Sequence, residues 1–455
     1  MNVLVKPHRF SGTVRVPASK SHTIRQLLIA SLAEGVSEIY YPLDSLDARS
    51  CVSACRAFGA EITEFYAVDP NCPNPQNRNG EKLVKWEVKG NGGFKRKAPE
   101  RGIKIDVGNS GTTLYLALAI AGLQGEPVEF TGDEQIQKRS AAPLLGALAG
   151  LGIQCASSNG CVPITVKGPW AGGKVSLPCP TSQYLSALLI AAPLAPEGVV
   201  TEIEAPLLNE KPYIEMTLSY LTAQGIPFEA APDFSRFAIP GGSSWQPLAA
   251  GSESRSVPGD FSSAAFPAAA AAVTGGPVTI LGLDLDDTQG DKFFIEMLKS
   301  MGCEALWNDS WNGKTLAISR ECPLCGGTFD LNATPDLLPA AAVVAAFAQG
   351  DTALVNVAHA RIKETDRIAV MAQELAKLGV ECTEKPDSLI IHGKGSLFTQ
   401  AGSAPNTLPV IDGHGDHRIV MAFAVAALGS KCPIEITSAE SAAVTYPGFL
   451  ELLGA

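Results

Sequence analysis

Between residues 359 and 379 the chain reads HARIKETDRIAVMAQELAKLG, and its first turns concentrate charge. Arg361, Lys363, Glu364, Asp366 and Arg367 fall within seven residues of a chain in which only 18% of residues are charged. From Ile368 onward Ile368, Met371, Leu375 and Leu378 recur at three- and four-residue steps, with Gln373, Glu374 and Lys377 on the other side, which predicts an amphipathic helix. Lys363 and Arg367, four apart, are expected to share a helix face, with Glu364 and Asp366 pointing elsewhere. Two cations and a carboxylate would then stand at a helix N-terminus, where free backbone N–H groups can bind an anion. A solvated helix start with local ion pairs fits the same residues.

The chain that must position these groups has 455 residues, too many for one ordinary domain, and two domains of about 200 residues each are expected. Hydrophobic residues make up 46%, ample for cores. A net charge of −11 argues against nucleic acid or an anionic membrane as partner, so any cationic site must be local. The N-terminus alternates like a strand and lacks the apolar core of a signal peptide, and no apolar run approaches membrane-spanning length. Eleven cysteines at irregular spacing, often in apolar segments (Cys51, Cys55, Cys303, Cys432), read as reduced thiols of a cytoplasmic protein. Cys322 and Cys325 form one CxxC, but no second pair or nearby His completes a zinc set.

One pattern returns six times: a β-rich stretch, a short Gly/Ser/Thr/Asn/Asp-rich turn, an Ala/Leu-rich helix, a Gly-like breaker, then another strand. The turn-plus-helix units occupy residues 16–35, 107–125, 179–198, 257–276, 333–350 and 413–429. Their helices are apolar on nearly all sides and should be buried. More amphipathic helices follow several of them, after Arg139, Lys211 and Lys292. A period of roughly 60–90 residues is too long for a solenoid, so each unit is read as a βαβ-type subdomain, three before about residue 255 and three after it. Residues 66–102 break the pattern, being polar and rich in Pro, Asn and Gly around a strand-like LVKWEV. They are expected to form a surface excursion, with Lys95, Arg96 and Lys97 solvated.

The recurring turns carry distinct polar sets. The first holds Ser19, Lys20, Ser21 and Arg25; the second Gly108, Asn109, Ser110, Gly111 and Thr112; the third Thr181, Ser182 and Gln183. The fifth places Asp336 alone in an apolar setting, and the sixth places Asp416, His417 and Arg418 before an apolar helix. Capping accounts for any one of these turns. It does not account for Lys20, Arg25, Lys363, Arg367 and Arg418, since cations are unfavourable at a helix N-terminus. A bound anion shared by converging helices would make them tolerable, and several such anchors imply a ligand with more than one phosphate or carboxylate.

Taken in order, these turns resemble the 5-enolpyruvylshikimate-3-phosphate synthase (3-phosphoshikimate 1-carboxyvinyltransferase) family over nearly the whole chain. The matching residues are Ser19-Lys20-Ser21 with Arg25, Gly108 to Thr112, Gly132-Asp133 with Arg139, and Ser182-Gln183-Tyr184. The series continues with Lys211-Pro212-Tyr213, Gly259-Asp260 with Ser262-Ser263, Pro335-Asp336, Lys363 to Arg367, and Asp416-His417-Arg418. The resemblance implies an inside-out α/β fold of two domains, each of three βαβαββ-type repeats with pseudo-three-fold symmetry and buried helices. The domains would be 21–256 and 1–20 with 257–455, hinged near 20 and 257, with the active site in the cleft between them.

It also implies transfer of the enolpyruvyl group of phosphoenolpyruvate to the 5-hydroxyl of shikimate 3-phosphate, with release of phosphate. This is a step of the shikimate pathway of aromatic amino-acid and chorismate biosynthesis. No metal or organic cofactor would be needed, and the protein would be a cytoplasmic monomer whose partners are its small-molecule substrates. By resemblance Asp336 is the base, Glu364 gives and retrieves the methyl proton, and Lys20 assists. Ser21, Arg25, Thr181, Ser182, Gln183, Tyr213, Asp336 and Lys363 would hold shikimate 3-phosphate. Lys20, Gly111, Arg139, Gln183, Arg367 and Arg418 would hold phosphoenolpyruvate.

The chain departs from the family pattern at named positions. Tyr115 stands where the family has Arg, and Val444 where it has Lys; both missing cations line the phosphoenolpyruvate side in the family. Ala18, Thr23-Ile24, Glu210 and His359 are further departures. A charge-assisted contact contributes about 1.5–3 kcal/mol, so losing two would weaken phosphoenolpyruvate binding by about 10²–10⁴-fold without compensation. Two other readings follow: a UDP-sugar enolpyruvyl transferase, whose family has Lys-Asn where this chain has Lys20-Ser21, or a non-catalytic relative that binds a phosphorylated cyclic polyol.

Overall fold

The computed structural model describes residues 1–68, 81–94, 102–248, 256–310, 313–397 and 408–455. They form two compact units, one of Ser19–Val257 and one of Met1–Ala18 with Pro258–Ala455. In Ser19–Val257 three buried helices alternate with three outer ones. These are α1 (Lys20–Leu32) with α2 (Leu46–Ala57), α3 (Gly111–Ala121) with α4 (Ala142–Gly150), and α5 (Gln183–Ala191) with α6 (Lys211–Ala223). The other unit repeats the scheme with α7 (Phe261–Thr274) and α8 (Phe293–Ser300), α9 (Leu338–Ala346) and α10 (Arg367–Lys377), and α11 (His417–Gly429) and α12 (Phe449–Leu452).

Each helix pair belongs to a small sheet of three or four strands. The sheet around α3 shows the plan. Ile103–Asp106 runs parallel to Val128–Thr131, as a helical crossover requires, and Cys161–Lys167 and Gln154–Ser158 close it as an antiparallel hairpin. Two sheets take a strand from a distant part of the chain, and a third takes a single bridge. Gly12–Arg15 leads into α1 but pairs in parallel with Val278–Leu281, and Ser256 leads into α7 but bridges Tyr40 in parallel. Each connecting segment thus pairs within the unit it is leaving. The sixth sheet is closed by the N-terminal strand Val3–Val5, antiparallel to Ile434–Ile436.

The inner helices have no face for water. Every residue of α3 and of α9 is buried, as are Phe261 to Val273 of α7 and His417 to Leu428 of α11. In one unit α1 and α5 pack against α3; in the other α7, α9 and α11 pack against one another. Alanine suits this layer because it favours helix and lets backbones approach closely, as in Ala268 to Ala272. Small size matters most at Gly429 near the end of α11, where a Cβ would stand 2.8 Å from the Phe347 ring and 3.3 Å from Val273.

Two expectations are corrected here. The charged run before α10 is not helical: the helix begins at Arg367, and Asp366 is its N-cap, accepting from Ala369 N at 3.0 Å. A cap residue takes a non-helical backbone, so Lys363 and Glu364 lie ahead of the helix, and Lys363 and Arg367 share no helix face. The stretch read as a surface excursion is in part core. Glu81–Lys89 pairs along Glu61–Val68 and buries Trp86 and Val88 completely, because its alternate residues are apolar. Residues 69–80 and the Lys95, Arg96, Lys97 run lie outside the described residues.

Candidate active site

In the unit Ser19–Val257 most of the expected site residues lie near the N-terminal ends of the inner helices, while Arg139 precedes α4 and Tyr213 lies in the first turn of α6. Lys20 opens α1 and stands 3.1 Å from Asp47, a buried carboxylate in the first turn of α2. Arg25, also on α1, is 1% exposed. Its guanidinium donates to Thr217 Oγ1 (2.9 Å), Ser186 Oγ (3.1 Å), the Ser21 carbonyl (3.2 Å) and the Tyr213 carbonyl (3.3 Å), all neutral groups. Burial lowers its pKa to about 10, against the opposing influence of Tyr220, Tyr213 and Glu210.

Thr181 and Ser182 sit where α5 begins, and the chain's own Glu210 occupies them. One oxygen, Oε2, accepts from Thr181 Oγ1 (3.0 Å), Ser182 N (2.9 Å) and Ser182 Oγ (2.9 Å). Glu210 is buried and left-handed, with φ 58° and ψ 41°, a backbone that side-chain-bearing residues seldom adopt.

Gly111, Arg139 and Gln183 meet at the start of α5. A Cβ at residue 111 would stand 3.0 Å from Arg139 Nη1 and 3.9 Å from Gln183 Oε1, so the absence of a side chain admits the guanidinium. Arg139 Nη2 donates to Asn109 at 2.9 Å. Gln183 Oε1 is buried and accepts no hydrogen bond among the described residues. Tyr115 packs edge-on to Tyr184 with ring centroids 5.0 Å apart, and its own edge reaches the same Gly111 position at 3.6 Å. It stands beside Arg139 but brings no cation.

In the other unit one buried guanidinium organises the expected residues. Arg367 forks onto Asp416 (Nε to Oδ2 2.8 Å, Nη2 to Oδ1 3.2 Å), and reaches Asp336 Oδ1 at 2.7 Å and Glu364 Oε2 at 2.6 Å. Arg418, the second residue of α11, reaches Asp336 Oδ2 at 2.9 Å. Asp416 caps α11 by accepting from Arg418 N at 2.9 Å and takes the Thr365 hydroxyl at 3.0 Å. Asp336 lies in the turn Pro335–Leu337 ahead of α9. Burial opposes its ionisation, but Arg418, Lys363 and Arg367 outweigh that and hold it well below the usual carboxylate range. Burial likewise opposes the charge on Arg367, and Asp416, Glu364 and Asp336 overcome it.

The expectation that helix-end cations require an external anion is therefore revised. Lys20, Arg367 and Arg418 have internal carboxylates against them, and Asp336 is flanked by two guanidiniums rather than alone among apolar groups. Asp47, Asp416 and Glu210 were absent from the expected site. Asp416 precedes Arg418 in an already conspicuous Asp-His-Arg and could have been found; nothing local marks Asp47. Val444 ends a 3₁₀ turn, half-buried and uncharged. Among the described residues no cluster of His, Cys, Asp and Glu could hold a metal, Cys322 and Cys325 are exposed free thiols, and no helix is long and apolar enough to cross a membrane.

The family model described as EPSP synthase (3-phosphoshikimate 1-carboxyvinyltransferase) matches residues 4–453. A 3-phosphoshikimate 1-carboxyvinyltransferase of Acetivibrio thermocellus is 42% identical, over 100% of this chain and 97% of its own length. One of Ruminiclostridium cellulolyticum is 41% identical, over 99% and 97%. The solved structure of EPSP synthase from Acinetobacter baumannii superposes with a TM-score of 0.76 at 29% identity, covering 100% of this chain and 97% of that one.

Proposed function

The chain belongs to the EPSP synthase family, and on that premise we propose that it transfers the enolpyruvyl group of phosphoenolpyruvate to the 5-hydroxyl of shikimate 3-phosphate, releasing phosphate. Asp336 and Glu364, held on the single buried guanidinium of Arg367, are the observation that carries this reading. The reaction needs a base for the hydroxyl, an acid for the methylene carbon and cations for the phosphates and the carboxylate.

Asp336 takes the hydroxyl proton as the 5-oxygen bonds to C2 of phosphoenolpyruvate. Glu364 protonates the methylene carbon, and the tetrahedral intermediate results. Glu364 then retrieves a methyl proton as the C2–O bond to phosphate breaks. Paired with Arg367 and Arg418, Asp336 is a poor base. The carboxylate and phosphate of phosphoenolpyruvate draw on those two guanidiniums, which relieves Asp336 and raises its proton affinity as the substrate arrives. Lys20, Gly111, Arg139 and Gln183 complete the phosphoenolpyruvate contacts. Ser21, Arg25, Thr181, Ser182, Gln183, Tyr213, Asp336 and Lys363 hold shikimate 3-phosphate, with the orphaned Gln183 oxygen suited to a ligand hydroxyl. The protein acts in the cytoplasm, as a monomer, on small molecules alone.

A phosphate-release assay with both substrates tests the activity. Turnover is expected, and Asp336→Asn is expected to lower kcat by about 10²–10⁴-fold while shikimate 3-phosphate still binds. Tight shikimate 3-phosphate binding without turnover at high phosphoenolpyruvate would instead mark a binding module.

A further inference from the structure

Glu210 is buried, charged and unused by the chemistry above, yet it occupies groups that the chemistry requires. Its Oε2 takes the Ser182 N–H at the start of α5 together with the hydroxyls of Thr181 and Ser182. These donors form a ready seat for an anion: a backbone N–H at a helix start with two hydroxyls turned toward the same point. Arg25, fully buried, completes the surroundings. Its hydrogen bonds go to neutral atoms on α1, α5 and α6, and it feels the charge of Glu210. The seat is built for negative charge and is filled by the chain itself. The left-handed backbone at Glu210 holds the carboxylate at the entry to α6, over the first turn of α5.

We propose that the Glu210 carboxylate is an internal occupant of the phosphate seat for shikimate 3-phosphate, and that the substrate binds by displacing it. The proposal rests on the substrate contacts proposed above, which place the same Thr181, Ser182 and Arg25 against that ligand. Two anions do not share one set of donors. When the phosphate oxygens take the Ser182 N–H and the two hydroxyls, Glu210 withdraws, and the affinity for shikimate 3-phosphate is set by this exchange rather than by the contacts alone. Glu210 is in this sense a specificity-determining residue. It weakens the hold on every phosphorylated ligand and leaves a ligand without phosphate untouched.

The test uses the full chain and two replacements, Glu210→Gln, which keeps the shape and removes the charge, and Glu210→Ser, which empties the seat. Thermal unfolding first identifies which variants are folded. Calorimetry at one pH then measures shikimate 3-phosphate, shikimate and inorganic phosphate on parent and variants. Folded variants are expected to bind shikimate 3-phosphate at least about tenfold more tightly and inorganic phosphate measurably better, with shikimate unchanged. Unchanged or weaker binding of both phosphate ligands in either folded variant overturns the proposal and leaves Glu210 as a structural tie between α5 and α6. Inorganic phosphate reads the seat independently of the substrate. Tighter phosphate binding in the variants, with shikimate 3-phosphate bound by none of the proteins, upholds the occupied seat and removes the substrate assignment instead.

Discussion

Removing the Arg367 guanidinium takes from Asp336, Glu364 and Asp416 the counter-charge they share, and Asp416 is wholly buried. Breaking a buried ion pair by deleting one partner costs about 3–5 kcal/mol, so Arg367→Ala is expected to lower the urea unfolding midpoint by a matching amount with an unchanged slope. Asp291 behaves in the opposite way. The Ser262 hydroxyl donates a hydrogen bond to its Oδ2, while its Oδ1 is buried with no hydrogen-bond partner among the described residues. Burial first, and then the negative charge of Asp336, push its pKa up to about 7. A carboxyl raised in this way adds stability that is fully present below its unfolded pKa, about 4, and is lost as pH rises through about 7. Asp291→Asn is therefore expected to gain thermal stability on the parent as pH climbs from about 4 to about 7, with a constant difference above that. Equal pH dependence in the two proteins would contradict the raised value. At this scale sequence showed Lys20, Arg25, Asp336, Glu364, Arg367 and Arg418 as unusual. Their partners lay beyond it, because a carboxylate in a local turn reads equally well as a cap.

Helices that are apolar all round can exist only inside, and this decides the layout of both units. The six inner helices and their burial were legible from composition, since alanine and leucine on every face leave no other home. Helix starts were less legible. Asp366 outcompeted the helical pattern of the charged run, and the whole Lys363 to Thr365 segment became a lead-in to α10. Close packing at the far ends of the inner helices gives a test. Gly429→Val forces side-chain carbons against Phe347 and Val273, and overpacking of this kind costs about 1–3 kcal/mol, to be read from the denaturation midpoint. The smaller change Gly429→Ala is expected to cost less, because only Cβ meets the Phe347 ring.

The chain as a whole carries a net charge of −11, yet its proposed ligands are anions. Each unit sets internal carboxylates against some of its cations, Asp47 against Lys20 and Asp336 and Asp416 against Arg367, and under the proposed function substrates would exchange with these groups. The same exchange would limit how much cation is left over for phosphoenolpyruvate, and Tyr115→Arg combined with Val444→Lys supplies the two cations that the family resemblance implies. The double variant is expected to lower the KM for phosphoenolpyruvate, and an unchanged or higher KM would show that neither position reaches that ligand.

Sequence by itself determined the repeat, the buried helices and the identity of the chemical groups, because period and residue type act locally along the chain. Tertiary structure alone decided which charge meets which. The pairing of Arg367 with Asp416, 49 residues on, or of Ser182 with Glu210, 28 residues on, depends on where folded elements come together. No local spacing encodes that meeting.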